Sequence, residues 1–199
     1  MGACESNNML RDTAQHSVSG ELDRFYARDS QFPDWHMVDT WSCEVETANL
    51  LRALVLQHKP RTIVETGTNT GFTSLHLAIG CDDNGFGEVH TMDNHAWPAV
   101  HNHIRIYRVI ADSGLPHPAI PKEIDLLFLD SAHTLEHVKR EMGWLYPRVN
   151  QNGLVILHDW YQQPLRDSYR WICETYDVKP MVLPNGRGLF MWTKNVVEA

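Results

Sequence analysis

Beyond Pro60 the sequence alternates short apolar runs with longer amphipathic stretches, and this alternation constrains the fold more than any other feature. The apolar runs have the length of buried strands, whereas the stretches between them carry apolar residues at helical spacing. Alternation of this kind is typical of a parallel sheet with helices on both faces. We therefore predict strands at 62–66, 88–92, 105–110, 125–129 and 153–157, and helices at 71–80, 97–102, 134–146 and 164–175.

One more helix is predicted before this region. From Glu44 onward, apolar residues recur every three or four positions, with Ser42 as a candidate N-cap and Pro60 as a stop. Residues 1–41 hold few apolar side chains until several aromatic residues appear singly, and they are predicted to form a leader and lid. Residues 42–199 are predicted to form a single domain.

The C-terminal region follows a different pattern. Residues 178–183 and 188–193 are apolar runs on either side of the sequence Pro-Asn-Gly-Arg. An Asn-Gly pair between two such runs is typical of a β-hairpin. We therefore predict that this hairpin adds an antiparallel strand to the edge of the sheet.

Composition narrows the class of protein and of partner. The chain has 199 residues, a length typical of about one domain. Its formal net charge is -8, which has the wrong sign for neutralising nucleic-acid phosphates or anionic lipid. We therefore predict neither a nucleic-acid nor a membrane partner. The apolar runs are far shorter than the ~20 residues that a membrane-spanning helix needs. The polar N-terminus has no signal-peptide pattern, and we therefore predict a cytoplasmic location. Four scattered cysteines predict reduced thiols.

The strongest local signal is the segment 62–75, TIVETGTNTGFTSL, in which a strand, a small-residue loop and a helix follow one another. Gly67 and Gly71 allow close approach of a ligand to the backbone, and the helix start offers free amides. This pattern favours a nucleotide or nucleoside-like ligand. A dinucleotide-binding loop would have glycine where this chain has Asn69, so an NAD-type oxidoreductase is the weaker alternative.

Acidic residues follow the next two predicted strands. Asp93 ends the strand at 88–92, and Asp112 with Ser113 follows the strand at 105–110. Ligands of open α/β sheets bind at the carboxyl ends of the strands, where an acid can hydrogen-bond ribose hydroxyls. The three residues are therefore candidates for nucleoside binding.

Together with IDLLFLDSAHT at 124–134 and GLVILHD at 153–159, these motifs resemble class I S-adenosylmethionine-dependent methyltransferases. The resemblance is greatest to the small O-methyltransferases of the catechol type and to the macrolide-sugar O-methyltransferases, the methyltransferase family 24-like group. It extends from about residue 42 to residue 194. It implies an α/β, Rossmann-like class I methyltransferase fold with a mainly parallel seven-stranded sheet, an antiparallel C-terminal hairpin and helices on both faces.

The resemblance also implies a cofactor, S-adenosylmethionine, and residues that hold it. The methionine end of the cofactor would contact Glu65 and the loop residues Gly67, Thr68, Asn69 and Gly71. The ribose would bind Asp93, and the adenine would lie beside Asp112 and Ser113. In a looser correspondence, Ser42, Glu44 and Glu46 would help to close the cofactor pocket.

Two further strand ends carry candidate metal ligands. Asp130 ends the strand at 125–129, while His158 and Asp159 end the strand at 153–157. Neighbouring strands lie about 5 Å apart, so these side chains can converge, and two carboxylates with water suit Mg²⁺. The relatives have an oxygen ligand at the position of His158, and imidazole suits Mn²⁺ or other transition metals better. The identity and the presence of a divalent metal stay open.

The resemblance assigns the chemistry to residues near that site. Relatives carry Lys or His three residues after the acid equivalent to Asp130, which makes His133 the predicted general base for a small-molecule hydroxyl acceptor. Asp130 is predicted to be catalytic as well as metal-binding. Trp160 and Tyr161 are candidates for a wall of the acceptor pocket, whereas His137 is predicted to face solvent.

A non-catalytic S-adenosylmethionine-binding module, or a pseudo-enzyme whose metal site has decayed, is the main alternative. His158 in place of an oxygen ligand is the feature that favours it. The identity of the acceptor has no readable code in the sequence. Association into a homo-oligomer through the leader or the hairpin also stays open.

Overall fold

The structure is a computed structural model that describes residues 25–97, 102–184 and 186–195. Within these residues the α-helices are α1 (Val45–His58), α2 (Phe72–Asn84), α3 (Leu135–Leu145) and α4 (Gln163–Tyr176), and a 3-10 turn at Tyr146–Arg148 follows α3. The strands are β1 (Ala27–Arg28), β2 (His36–Met37), β3 (Thr62–Thr66), β4 (Glu88–Asp93), β5 (Ile106–Ile110), β6 (Ile124–Leu129), β7 (Val149–His158), β8 (Met181–Leu183) and β9 (Leu189–Thr193).

Seven of the described strands form one sheet in the order β5-β4-β3-β6-β7-β9-β8. The first five of these run parallel, β9 pairs antiparallel with β7, and β8 pairs antiparallel with β9. The predicted fold class is confirmed. The predicted hairpin is present, with its second strand beside β7 and its first strand at the edge. A separate two-stranded ribbon pairs β1 with β2.

Helices cover both faces of the sheet because successive strand residues point to opposite sides. On one face, Ile63 and Phe128 belong to a buried cluster that includes residues of α1 and α2. On the other face, Val64 and Leu127 belong to a cluster with residues of α3 and α4. Among the described residues, no helix combines the length and the apolar character needed to cross a bilayer.

Most element boundaries agree with the predictions to within one or two residues. The helix predicted at 71–80 continues to Asn84, and the first strand of the hairpin, predicted at 178–183, begins only at Met181. The strand predicted at 153–157 begins four residues earlier, because a register shift between β6 and β7 lets Val149 pair with Ile124. The prediction that Ser42 caps the first helix is wrong. The N-cap of α1 is Glu44, whereas the Ser42 hydroxyl donates to Asp39 at 2.8 Å. Most of the helix predicted at 97–102 lies outside the described residues.

Candidate functional site

A cavity of about 480 Å³ opens at the carboxyl ends of β3, β4, β5 and β6. Strands β4 and β6 flank β3 on opposite sides, so the chain order reverses there, and open α/β sheets bind ligands at such a switch point. The residues lining the cavity are Trp41, Ser42, Cys43, Gly67, Thr68, Asn69, Phe72, Thr73, Met92, Asp93, Asn94, Trp97, Asp112, Ser113, Asp130, Ser131, Ala132, His133 and His137.

The loop between β3 and α2 forms the floor of this cavity. Its first residue, Gly67, packs so closely against the backbone of Asp130 that no side chain fits there. A Cβ atom at Gly67 would lie 2.0 Å from the Asp130 carbonyl oxygen, and the backbone there has φ 87°. The Gly67 amide donates to the Met92 carbonyl at 2.8 Å. The loop is thereby held against the ends of β4 and β6, and its next residues, Thr68 and Asn69, face the cavity.

The acid at the end of β4 is fixed by two backbone amides. Asp93 accepts hydrogen bonds from Asn69 N and from His95 N, both at 2.9 Å. Its carboxylate therefore joins the β3–α2 loop to the segment after β4. After β5, Asp112 accepts from Gly114 N at 2.9 Å, and both Asp112 and its neighbour Ser113 line the same cavity.

Two of the eight predicted cofactor residues do not line the cavity. Gly71 is the N-cap of α2, and its φ of 80° lies in the left-handed region that glycine favours. Glu65 is fully buried and accepts a hydrogen bond from the Ser74 hydroxyl. Burial raises the pKa of Glu65 to about 8 despite that hydrogen bond. Contact between Glu65 and a cofactor stays a prediction.

At the far end of the cavity, one imidazole lies between two carboxylates. His133 Nε2 is 3.1 Å from Asp159 Oδ2 and 3.5 Å from Asp130 Oδ1, while Nδ1 contacts the Gln162 amide nitrogen at 3.1 Å. Burial lowers the pKa of His133, but the hydrogen bond to Asp130 and the charges of both carboxylates outweigh it and raise that pKa. The arrangement therefore stabilises a proton on this ring.

His158 lies next to this group but is already bonded on both sides. It is 2% exposed, with Nε2 2.9 Å from Glu44 Oε2 and Nδ1 3.2 Å from Asp130 Oδ1. Burial opposes its positive charge, yet the neighbouring carboxylates raise its pKa well above the ordinary value. Both ring nitrogens therefore contact carboxylates, and the metal-ligand role of His158 stays a prediction.

The structure instead offers a different set of candidate ligands. One ligand atom from each of Asp130, His133 and Asp159 lies within 4.8 Å of the other two. Asp159 Oδ1 is a buried oxygen without a hydrogen-bond partner among the described residues, while Oδ2 of the same carboxylate lies 3.1 Å from His133 Nε2. Two carboxylates and an imidazole fit a divalent cation that accepts nitrogen and oxygen donors. Asp159 reaches this position because its backbone has φ 59°, which turns the chain at the end of β7.

The remaining predicted residues have other surroundings. Glu44 contacts His158 and Glu46 contacts His36, whereas Ser42 lines the cavity; a role of these three residues in closing a cofactor pocket stays a prediction. Trp160 and Tyr161 are not among the lining residues, and the Tyr161 hydroxyl donates to Gln31 at 2.8 Å.

One cavity residue was predicted wrongly. His137 lines the cavity instead of facing solvent, and its side chain is only 11% exposed. Sequence spacing could have indicated this, because His137 and Glu141 are four residues apart on α3 and lie on one helical face, while His133 lies just before that helix.

Comparisons with known proteins agree with this geometry. Residues 64–160 match the family described as a methyltransferase domain. A search of curated protein sequences finds no match.

Several solved structures resemble the whole fold. A Staphylococcus aureus protein provisionally named a caffeoyl-CoA O-methyltransferase has a TM-score of 0.67 at 19% identity, with 94% of this chain and 98% of that chain covered. The methyltransferase PaMTH1 of Podospora anserina, solved with S-adenosylhomocysteine, has a TM-score of 0.58 at 17% identity and coverage of 96% and 97%. The O-methyltransferase TomG of Streptomyces achromogenes, solved with S-adenosylmethionine, has a TM-score of 0.59 at 15% identity and coverage of 78% and 82%. At these identities the likeness shows a shared fold.

Proposed function

We propose that this protein, whose residues 64–160 match the family described as a methyltransferase domain, transfers the methyl group of S-adenosylmethionine to a hydroxyl of a small molecule. The match confirms the resemblance to class I methyltransferases. The observation that carries the proposal is that one cavity is lined both by the nucleoside-binding candidates Asp93, Asp112 and Ser113 and, at its other end, by Asp130 and His133. A cofactor bound at the first end would present its methyl group toward the second.

The proposed cofactor contacts follow from the positions of polar groups in the cavity. Asp93 would accept hydrogen bonds from the ribose hydroxyls, and Asp112 with Ser113 would contact the adenine. The loop residues Gly67, Thr68 and Asn69 would lie along the methionine end. Both PaMTH1 and TomG were solved with S-adenosylhomocysteine or S-adenosylmethionine, which supports this choice of cofactor.

The proposed reaction uses His133 as the general base. The acceptor hydroxyl oxygen attacks the sulfonium methyl carbon, the carbon–sulfur bond breaks, and S-adenosylhomocysteine leaves as a neutral thioether. The hydroxyl proton moves to the His133 ring, where the carboxylates of Asp130 and Asp159 stabilise the imidazolium. The sulfonium is already activated, so correct placement of the acceptor supplies much of the acceleration.

A second use of these residues is divalent-cation binding by Asp130, His133 and Asp159. The convergence of one ligand atom from each within 4.8 Å and the unpartnered Asp159 Oδ1 favour it. A bound cation would acidify and orient the acceptor hydroxyl. His133 Nε2 cannot serve as ligand and base at once. The two uses therefore make opposite predictions for metal dependence, which are tested below.

Replacing Asp93 with alanine is expected to weaken the binding of S-adenosylhomocysteine roughly tenfold to hundredfold. The loss of charge-assisted hydrogen bonds to the ribose accounts for a change of this size. Isothermal titration of the full chain with S-adenosylhomocysteine measures it.

The matched control is Asp125→Ala. Asp125 also accepts from two backbone amides, Arg61 N at 2.8 Å and Thr62 N at 3.1 Å, but it lies at the opposite end of the sheet. This variant should lose stability while keeping its affinity for S-adenosylhomocysteine. Equal affinities in Asp93→Ala and wild type would contradict the assignment of the ribose site.

The reaction itself is tested by screening catechols, sugars and hydroxy acids for S-adenosylhomocysteine formation. Methylation of any of these hydroxyls supports an O-methyltransferase. Tight cofactor binding without turnover on any of them would favour the non-catalytic binding module. Binding of NAD in place of S-adenosylmethionine would support the oxidoreductase alternative.

A further inference from the structure

We propose that Glu141 is a positioning residue that holds the nucleoside end of the cavity at a constant distance from the loop that carries Asp130. This inference rests on the proposed function, because it assumes that a nucleoside cofactor occupies the cavity. Glu141 lies on α3, is 1% exposed and is not among the residues that line the cavity. Any effect on a ligand must therefore pass through the residues that Glu141 contacts.

One carboxylate oxygen connects two separate loops. Glu141 Oε1 accepts hydrogen bonds from the hydroxyls of Ser113 and Ser131, each at 2.6 Å. Ser113 follows β5 and Ser131 follows β6, and both line the cavity. Strands β4 and β3 lie between β5 and β6 in the sheet, so no backbone ladder joins these strands directly. Glu141 therefore supplies a link that the sheet does not.

A third donor faces the same oxygen. His137 Nε2 is 3.3 Å from Glu141 Oε1 and 3.0 Å from the Ser113 hydroxyl oxygen. The Arg140 guanidinium can only donate, and it contacts His137 Nδ1 at 2.8 Å. In the neutral His137 ring the proton must therefore be on Nε2, and this N–H points toward Glu141 Oε1 and the Ser113 hydroxyl oxygen.

This convergence explains why a glutamate suits the position. Two hydroxyls and one imidazole N–H all donate toward Glu141, and an ionised carboxylate only accepts. A glutamine of the same size would keep one oxygen but add an amide donor among groups that are themselves donors. It would also lose the charge that strengthens each of these hydrogen bonds. Glu141→Gln is therefore a nearly isosteric change that weakens the link between the two loops.

The expected result for Glu141→Gln is a loss of affinity for both S-adenosylhomocysteine and adenosine of roughly tenfold. Adenosine is included because it lacks the amino-acid end of the cofactor. If the affinities for both ligands fall by the same factor, the variant has disturbed binding of the nucleoside part. Calorimetric titration of the full chain measures both affinities, and the melting temperature is recorded alongside. The matched control is Glu136→Gln on the same helix, where the glutamate side chain is 81% exposed and affinity should not change.

A double-mutant cycle keeps the inference testable if Glu141→Gln fails to fold. Ser113→Ala and Ser131→Ala each remove one donor to the shared oxygen. If the link acts as proposed, their effects on S-adenosylhomocysteine affinity are non-additive, because each hydroxyl positions the acceptor of the other. Additive effects would overturn the inference, as would a folded Glu141→Gln protein that binds adenosine like wild type. Wild-type protein that binds neither ligand would overturn the proposed function itself, and the inference with it.

Discussion

Replacing His158 with leucine is expected to lower the free energy of unfolding by about 3–5 kcal/mol, the usual cost of leaving a buried charge without its partner. Glu44 is fully buried at the start of α1, and its Oε2 lies 2.9 Å from His158 Nε2. Burial opposes ionisation of Glu44, but the hydrogen bond and charge of His158 lower its pKa to about 2. Leucine keeps the volume of the side chain and removes the compensating charge.

Thermal and urea unfolding measure this effect. For a chain of this size, 1 kcal/mol corresponds to roughly 2–4 °C, so the melting temperature should fall by about 6–20 °C. The control is the double variant Glu44→Gln with His158→Leu, which removes both charges and should recover much of the loss. A His158→Leu protein with the unfolding free energy of wild type would show that His158 does not compensate the buried charge of Glu44.

Replacing His133 with alanine is expected to lower kcat by about 10²–10⁴, the usual contribution of a general base. The affinity for S-adenosylhomocysteine should stay close to wild type, because the proposed ribose and adenine contacts lie at the other end of the cavity. Initial rates with an acceptor found in the screen, together with calorimetric titration of the cofactor product, separate the two effects. A variant that turns over like wild type would remove His133 from the mechanism.

The same experiment, repeated with chelator and with added Mn²⁺, distinguishes base from metal ligand. If His133 is the base, wild-type turnover does not respond to the chelator. If His133, Asp130 and Asp159 hold a cation, chelation abolishes turnover, and titration of wild-type protein with Mn²⁺ shows binding that Asp159→Asn loses. The titration gives an answer that does not depend on activity.

Much of the cavity could be predicted because its residues lie directly after strands. The strand predicted at 62–66 is β3, residue for residue, and the glycine loop that follows it forms the cavity floor. Asp93 is the last residue of a parallel strand, and Asp112 and Asp130 follow two others, so the sheet brings all three to one edge. Glu65 illustrates the limit of this reasoning. It is the last residue but one of the same strand, but its side chain belongs to the face covered by α2 and contacts Ser74.

The sequence by itself determined the alternation of strands and helices, the glycine loop and the acids at the strand ends, because these depend on residue type and on spacing within short segments. Only the tertiary structure decided how His133 and His158 share the carboxylates of Asp130 and Asp159. His158 has the same strand parity as Ile156, so it points toward the face covered by α1 and meets Glu44. The left-handed turn at Asp159 places that carboxylate between the two rings, with Oδ2 3.1 Å from His133 Nε2 and 3.5 Å from His158 Nδ1. Contacts of this kind join residues far apart in the chain, and local spacing does not encode them.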